Sequence, residues 1–230
     1  HPDEVCSLFT HTVPVGISFG VVLVIEKGQK YEVATFRTET GYLDGRRPTQ
    51  VTFATAEEDV RRRDFTINGL LFDPGKGRLI DYVGGCADIE GRIVRTIGDP
   101  ERRFAEDHLR MLRAVRFTAN LGYDLDLDAL MAIKDHGRDI NRISAERIRD
   151  ELTKMVTRPG ARRGMELLAN TGLLGEILPE VQALCGIEQP ETFHPEGDVW
   201  EHTLRMLSLL PVDGAEPCLA WGVVMHDLGK

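Results

Sequence analysis

Apolar and polar positions alternate through the first third of the chain and then change period. The stretch "VVLVIEKGQKYEVATF" (Val21 to Phe36) holds two β-rich runs on either side of Lys27-Gly28-Gln29, which predicts a hairpin. In "YEVATF" a period of two puts Glu32, Ala34 and Phe36 on one face and Tyr31, Val33 and Thr35 on the other. "VTFAT" (Val51 to Thr55) reads as another short strand, and "RLIDYVGG" as a strand ending on a Gly-Gly turn. Asp59 to Leu71 reads as helical at both ends with a break near "RRD". From Pro100 onward the apolar period is helical, and it predicts helices over 101–121, 127–137, 144–157, 160–171, 174–184, 200–209 and 216–228. Ser144 stands where a helix is capped, although Arg147 occupies the place where a capping box carries Glu. "TRPG" (Thr157 to Gly160) is a helix stop, and "EQPETFHPEGD" (Glu188 to Asp198) reads as a linker.

This order predicts an α+β protein: a β-containing head over 1–98, an all-helical middle over 99–187, and the start of a further helical unit over 188–230. A hydrophobic share of 42% and a charged share of 28% over 230 residues place it among globular chains long enough for two modest domains. No apolar run approaches the ~20 residues of a membrane span, so no membrane partner is expected. Cys6, Cys86, Cys185 and Cys218 are scattered, with no C-x-x-C pair, as reduced thiols of a cytoplasmic protein would be. A net charge of -9 disfavours non-specific nucleic-acid binding, but arginines gather at 61–63, 102–116 and 158–163, so a local basic surface is compatible with it.

The most unusual stretch is "RFAEDHLRMLRAVRF" (Arg103 to Phe117). On a helical wheel of about 100° per residue, Leu109, Met111, Leu112 and Val115 share one side. Glu106, Arg110, Arg113 and Phe117 gather on the other, with Asp107 at its border. A solvated face with i,i+4 ion pairs such as Glu106–Arg110 is the ordinary reading. Two features resist it. Phe117 on a charged face is wasted in water, and Arg116 falls in the apolar arc, where it needs a carboxylate or phosphate partner. A carboxylate and a guanidinium held side by side can address the hydrogen-bonding edge of a base: Asp accepts from an amine, Arg donates to a ring nitrogen or carbonyl.

"YEVATFR" (Tyr31 to Arg37), "RRDFTINGLLFD" (Arg62 to Asp73) and "LIDYVGGCADIEGRIVRTIGDPERRFAEDHLRMLRAVRF" (Leu79 to Phe117) resemble the class II tRNA nucleotidyltransferase and bacterial poly(A) polymerase family. The resemblance implies a nucleotidyltransferase head followed by helical neck and body. It implies template-independent addition of C and A to the tRNA 3′ acceptor end from CTP and ATP, with Mg²⁺. It makes Asp107 and Arg110 the base-selecting pair, with Glu106 orienting the arginine, and Arg113 and Arg116 further nucleotide contacts. Arg63 would meet the triphosphate and Asp64 a ribose hydroxyl, the group that separates ribonucleotides from deoxyribonucleotides. "GYLDGRRP", with Asp44, Arg46 and Arg47, resembles a head loop that reorganises as specificity switches from C to A.

With no initiator Met before "HPDEVCSLF" and a stop within "MHDLGK", both ends read as cut. The family's metal-binding Asp-x-Asp pair belongs just before His1, so little catalysis is expected of this chain alone. Glu32 stands where such heads carry a third acidic residue, though an edge-strand Glu facing solvent fits equally well. "HPEGDVWEHTLRML" followed by "LAWGVVMHDLGK" resembles the opening of an HD domain. It implies a divalent-metal site built from His202, His226 and Asp227, with a further ligand downstream. Three rival readings stay open: a bacterial poly(A) polymerase, an HD-type metal phosphohydrolase with a degenerate nucleotide-binding head, and a non-catalytic RNA-binding fragment.

Overall fold

In the computed structural model, residues 1–16, 20–42, 48–190, 192, 196–211 and 213–229 are described. Asp44, Arg46 and Arg47 lie outside them. The chain divides into two compact units, His1–Arg63 with Gly69–Val83, and Asp64–Asn68 with Gly84–Lys230. No described helix is long and apolar enough to cross a membrane.

The first unit opens with helix α1 (Pro2–Leu8) and the antiparallel sheet β1 (Thr12–Gly16), β2 (Val21–Glu26) and β3 (Gln29–Ala34), in the order β1-β2-β3. The predicted hairpin turns on Lys27 and Gly28, both at positive φ (50° and 78°), as a two-residue turn matched to strand twist requires. Val22 and Val24 are buried and pair with Val33 and Tyr31, so the covered face is the one opposite Glu32. β4 (Arg37–Tyr42) pairs with β5 (Pro48–Phe53), and α2 (Ala56–Arg61) follows, capped by Thr55 and Glu58. The sequence expects helix on both sides of "RRD". Beyond it lies only a three-residue 3₁₀ turn (Thr66–Asn68), and Leu70 begins a strand: β6 (Leu70–Asp73) pairs with β7 (Arg78–Asp81).

The second unit is mostly helical. It contains α3 (Gly85–Glu90), a short parallel pair β8 (Ile93–Val94) and β9 (Asp124–Leu125), α4 (Pro100–Glu106), α5 (Leu109–Leu121), α6 (Leu127–His136) and a 3₁₀ segment (Gly137–Arg142). Then come α7 (Ala145–Val156), α8 (Ala161–Thr171), α9 (Leu173–Ile177), α10 (Pro179–Gln182), α11 (Val199–Ser208) and α12 (Pro217–Met225). Asp64–Asn68 joins this unit because Phe65 bridges to Thr96, and the Ile97 amide donates to the Asp64 carbonyl.

Two predicted helices are each broken in two. The one over 101–121 stops at Asp107, whose backbone is extended (φ -149°, ψ 104°). Its carboxylate accepts the Leu109 amide at 3.1 Å, so an acid capable of capping starts a new helix inside an apolar period. The one over 174–184 breaks at Leu178, which precedes Pro179 and is held out of the helical region by the proline ring. Ser144 takes the capping position but its side chain makes no cap hydrogen bond.

α5 is the axis of the core. Met111, Leu112, Ala114, Val115 and Ala119 are buried, against partners that include Phe104, Ile133, Met155, Met165 and Leu168. Each fully buried large side chain contributes roughly 1.5–3 kcal/mol. α8 meets α5 backbone to backbone at Gly160: a Cβ there would lie 2.0 Å from the Ala119 carbonyl oxygen, so only glycine fits. The last helices are tied to α7 and its end. The Trp221 indole N–H donates to the Thr153 hydroxyl at 2.9 Å, and the Ala215 amide donates to the Thr157 carbonyl at 3.0 Å.

Candidate nucleotide-reading helices and a histidine–aspartate cluster

The break at Asp107 changes how the charged stretch must be read, because Glu106 and Asp107 do not share one helix with Arg110. The expected pair forms nevertheless: Arg110 Nη1 donates to Glu106 Oε2 at 2.8 Å and to the Arg103 carbonyl at 3.0 Å. Arg103 Nη1 reaches the same Glu106 oxygen at 2.8 Å, and Arg102 Nε the other at 3.3 Å. One carboxylate thus holds three guanidinium groups, and Arg110 is only 11% exposed. Asp107, beside it, pairs with Arg147 of α7 at 2.9 Å. Arg147 is the residue that stands where a capping box would put Glu, and its partner across the core accounts for it.

Arg113 and Arg116 continue the seam. Arg113 binds Asp64 through Nε at 2.8 Å and Nη2 at 2.6 Å. The other Asp64 oxygen accepts from the Phe65 amide at 2.9 Å and the Asn68 side chain at 3.0 Å. Arg116, read in the apolar arc, finds the carboxylate it needs: Glu151 on α7, at 2.6 Å. Glu151 is buried and also receives Lys154 at 2.9 Å. Phe117 lies under Arg116, guanidinium to ring centre 4.2 Å, and edge-on to Phe65 at 5.7 Å, so its place on the charged face is a cation–π and aromatic contact.

Burial raises the pKa of Asp64, but the Arg113 charge, Asn68 and the Phe65 amide outweigh it and hold the carboxyl below its usual range. Glu151 is likewise lowered: burial works against it, and Lys154, Arg116 and Arg113 prevail. Both are therefore ionised at neutral pH.

In the first unit Arg63 is held by a carboxylate. With Arg62 it binds the buried Asp59, at 3.0 Å and 2.6 Å respectively. Glu32 is exposed on the edge strand β3. A single carboxylate does not make a Mg²⁺ site, which takes about six oxygens in an octahedron.

Far along the second unit, α11 and the end of α12 bring His202, His226 and Asp227 together. One ligand atom from each lies within 4.8 Å of the others, the one such group of three among the described residues. The two imidazole centres are 5.3 Å apart. His226 Nδ1 donates to the Val223 carbonyl at 2.8 Å, and its Nε2 lies 3.3 Å from Asp227 Oδ2. His202 Nδ1 hydrogen-bonds Glu196.

Residues 1–95 match the poly A polymerase head domain, and residues 122–185 the probable RNA and SrmB-binding site of polymerase A. A CCA-adding enzyme of Lactobacillus helveticus is 45% identical over 215 residues, covering 91% of this chain and 53% of that protein. One from Anoxybacillus flavithermus is 40% identical over 227 residues, covering 98% and 53%. This chain belongs to the tRNA nucleotidyltransferase and poly(A) polymerase family. Its fold agrees: a Bacillus stearothermophilus CCA-adding enzyme solved in complex with CTP superposes with a TM-score of 0.76 at 36% identity, over 99% of this chain and 51% of that one. The chain spans about half the length of the family members it matches.

Sequence reasoning missed Asp59, Arg147, Glu151 and Glu196. For Arg147 and Glu151 a signal existed: "RIRDE" sets them four apart, on one face of a helix with Ile148 and Leu152 between and beyond them.

Proposed function

We propose that this chain carries the base-selecting region of a template-independent tRNA nucleotidyltransferase, which adds C and A to the tRNA 3′ acceptor end from CTP and ATP. The observation that carries the reading is the Glu106 clamp on Arg110 with Asp107 next to it. A carboxylate has about four acceptor sites, and the Leu109 amide and Arg147 take only two of those of Asp107, so it can still address a base edge. Fixing both groups beforehand reduces what a nucleotide must order on binding. Asp64, by contrast, works through Arg113: its carboxylate orients that guanidinium, and a sugar hydroxyl would have to share it. Nucleotidyl transfer in such enzymes draws on a divalent metal. The one head carboxylate proposed for it, Glu32, does not suffice to hold Mg²⁺. A cytoplasmic setting fits the free thiols of Cys6, Cys185 and Cys218.

Calorimetric titration with CTP and UTP tests the reading. The Arg110→Ala variant is expected to lose roughly 1–3 kcal/mol of discrimination between them, about 5- to 150-fold, with triphosphate-driven affinity retained. An equal loss for both nucleotides rejects the templating role. Binding of tRNA lacking its terminal CCA, against an oligo(A) primer, separates this activity from poly(A) synthesis.

A second reading is favoured by the His202–His226–Asp227 cluster: a divalent-cation centre in the opening of an HD-type unit. Two imidazoles and a carboxylate suit a transition metal. His226 Nε2 and Asp227 Oδ2 lie 3.3 Å apart, close enough to ligate one cation together. Such a cation supplies Lewis acidity for phosphoester hydrolysis; His202, His226 and Asp227 would hold it.

A further inference from the structure

Two histidines on different helices present themselves to this cluster in the same way. An ionised carboxylate and a backbone carbonyl can only accept, so the Nδ1 of each ring must be the donor. His226 gives its Nδ1 proton to the Val223 carbonyl within its own helix turn. His202 gives its proton to Glu196, six residues earlier, on the turn that precedes α11. In each neutral ring the basic nitrogen is then Nε2. For His226 the tautomer is set by main chain. For His202 it is set by one side chain.

We propose that Glu196 is a positioning residue for the His202–His226–Asp227 centre: it accepts the Nδ1 proton of His202, and so commits Nε2 to a divalent cation. This rests on the metal-centre reading above. The placement of Glu196 supports it. Its side chain is only 12% exposed, and its second oxygen is held by Arg205 at 3.4 Å, one helical turn beyond His202. Arg205 thus fixes the carboxylate, the carboxylate fixes the ring, and the ring offers its lone pair. Carboxylate partners of this kind orient a ligating imidazole and raise its basicity, and losing one typically weakens metal affinity 10–100-fold. Asp198, two residues on, is engaged differently: it caps α11 through the Glu201 amide at 3.0 Å and receives the Gly186 amide at 2.8 Å. The two acids of "EGD" therefore divide the work, one fixing the helix start and the other the ligand.

The test has two arms on the 230-residue chain. Long-range ¹H–¹⁵N correlation of the His202 ring, recorded without metal, reads the tautomer directly. The native chain is expected to show Nδ1 protonated. Glu196→Ala is expected to move the ring to the mixture an unconstrained imidazole adopts, while Glu196→Gln, which keeps an acceptor oxygen, holds the native signature. Zn²⁺ titration against a competing chelator is the second arm, with an expected 10–100-fold loss for Glu196→Ala and a smaller one for Glu196→Gln. An unchanged tautomer in Glu196→Ala overturns the proposal. If His202→Ala binds Zn²⁺ as tightly as the native chain, the metal-centre reading fails. The metal-free tautomer still decides whether Glu196 governs the ring.

Discussion

Two parts of the helical unit gather charge on short helices and use it in opposite ways. Along α4 and α5, carboxylates face guanidinium groups: Glu106 with Arg103 and Arg110, Asp107 with Arg147, Asp64 with Arg113, Glu151 with Arg116. At α11 and α12, imidazoles and an acid converge instead, and the imidazole protons are turned outward into protein acceptors. The first arrangement neutralises charge inside the fold and holds side chains still. The second gathers ligand-type atoms, which under the proposed metal-centre reading would hold a cation. The contrast explains why charge alone, read along a sequence, does not separate an ion-paired seam from a cluster of electron-pair donors. The decisive fact is where the protons and the opposite charges are.

The sharpest way to break this contrast is to remove Glu151. It is buried and is shared by Arg116 and Lys154, and Arg116 is itself only 14% exposed. Glu151→Ala leaves a guanidinium in the core without its counter-ion, and is expected to cost about 3–5 kcal/mol. Urea unfolding followed by circular dichroism measures it. The double variant Glu151→Leu with Arg116→Met should recover much of the loss, since replacing both members of a buried pair by apolar groups is often neutral. A single-variant cost under about 1 kcal/mol, the range of exposed pairs, would show that the seam is solvated and the comparison misdrawn.

A smaller effect sharpens the same point through pH. The Glu151 carboxyl is held below its ordinary value of 4.5 in the folded chain. The folded state therefore binds fewer protons than the unfolded state in that range, and stability falls as pH falls. The contribution of Glu151 is fully present above pH 4.5 and is lost as the pH drops through the depressed folded value. Native stability is expected to decline on acidification from about pH 5 downward, and Glu151→Gln to show a shallower decline. Asp64 and Asp59, also lowered, keep the slope from vanishing. Equal slopes for the two chains would mean that Glu151 is not ion-paired in solution.

The sequence carried some of this arrangement and not the rest, for identifiable reasons. The Lys27-Gly28 hairpin was legible because a short glycine-containing break between two β-rich runs marks a tight turn. The need of Arg116 for an acid was legible from its place on the apolar arc. The identity of that acid, 35 residues away, was not, because pairing between helices depends on packing that a wheel does not contain. The break at Asp107 escaped because neither Pro nor Gly marks it. Its cause is a carboxylate turning back to the Leu109 amide, and the available sign was an Asp two residues before an apolar run. The three members of the α11–α12 cluster were read from a short motif, whereas Glu196 looked like linker, since its partner is a ring nitrogen one turn into the next helix.

The smallest expected effect concerns the arginines at the start of α8, a surface where, under the proposed function, tRNA phosphates would approach. Arg162 binds Glu166 at 2.8 Å and reaches Glu201 at 3.5 Å, and it is 42% exposed. Arg163 binds Asp124 at 2.7 Å. These are solvated pairs, unlike the Arg116–Glu151 pair, so Arg162→Ala should lower stability by only about 0.3–0.5 kcal/mol. A phosphate contact, if Arg162 makes one, releases counterions and adds close to 1 to the slope of log affinity against log salt. Glu166 and Glu201 compete for the same guanidinium, so the expected change in that slope for Arg162→Ala is below ~1, measured by tRNA titration across a salt series. A slope identical to that of the native chain would remove Arg162 from the RNA path and leave it a surface ion pair, distinguished from the buried seam by exposure alone.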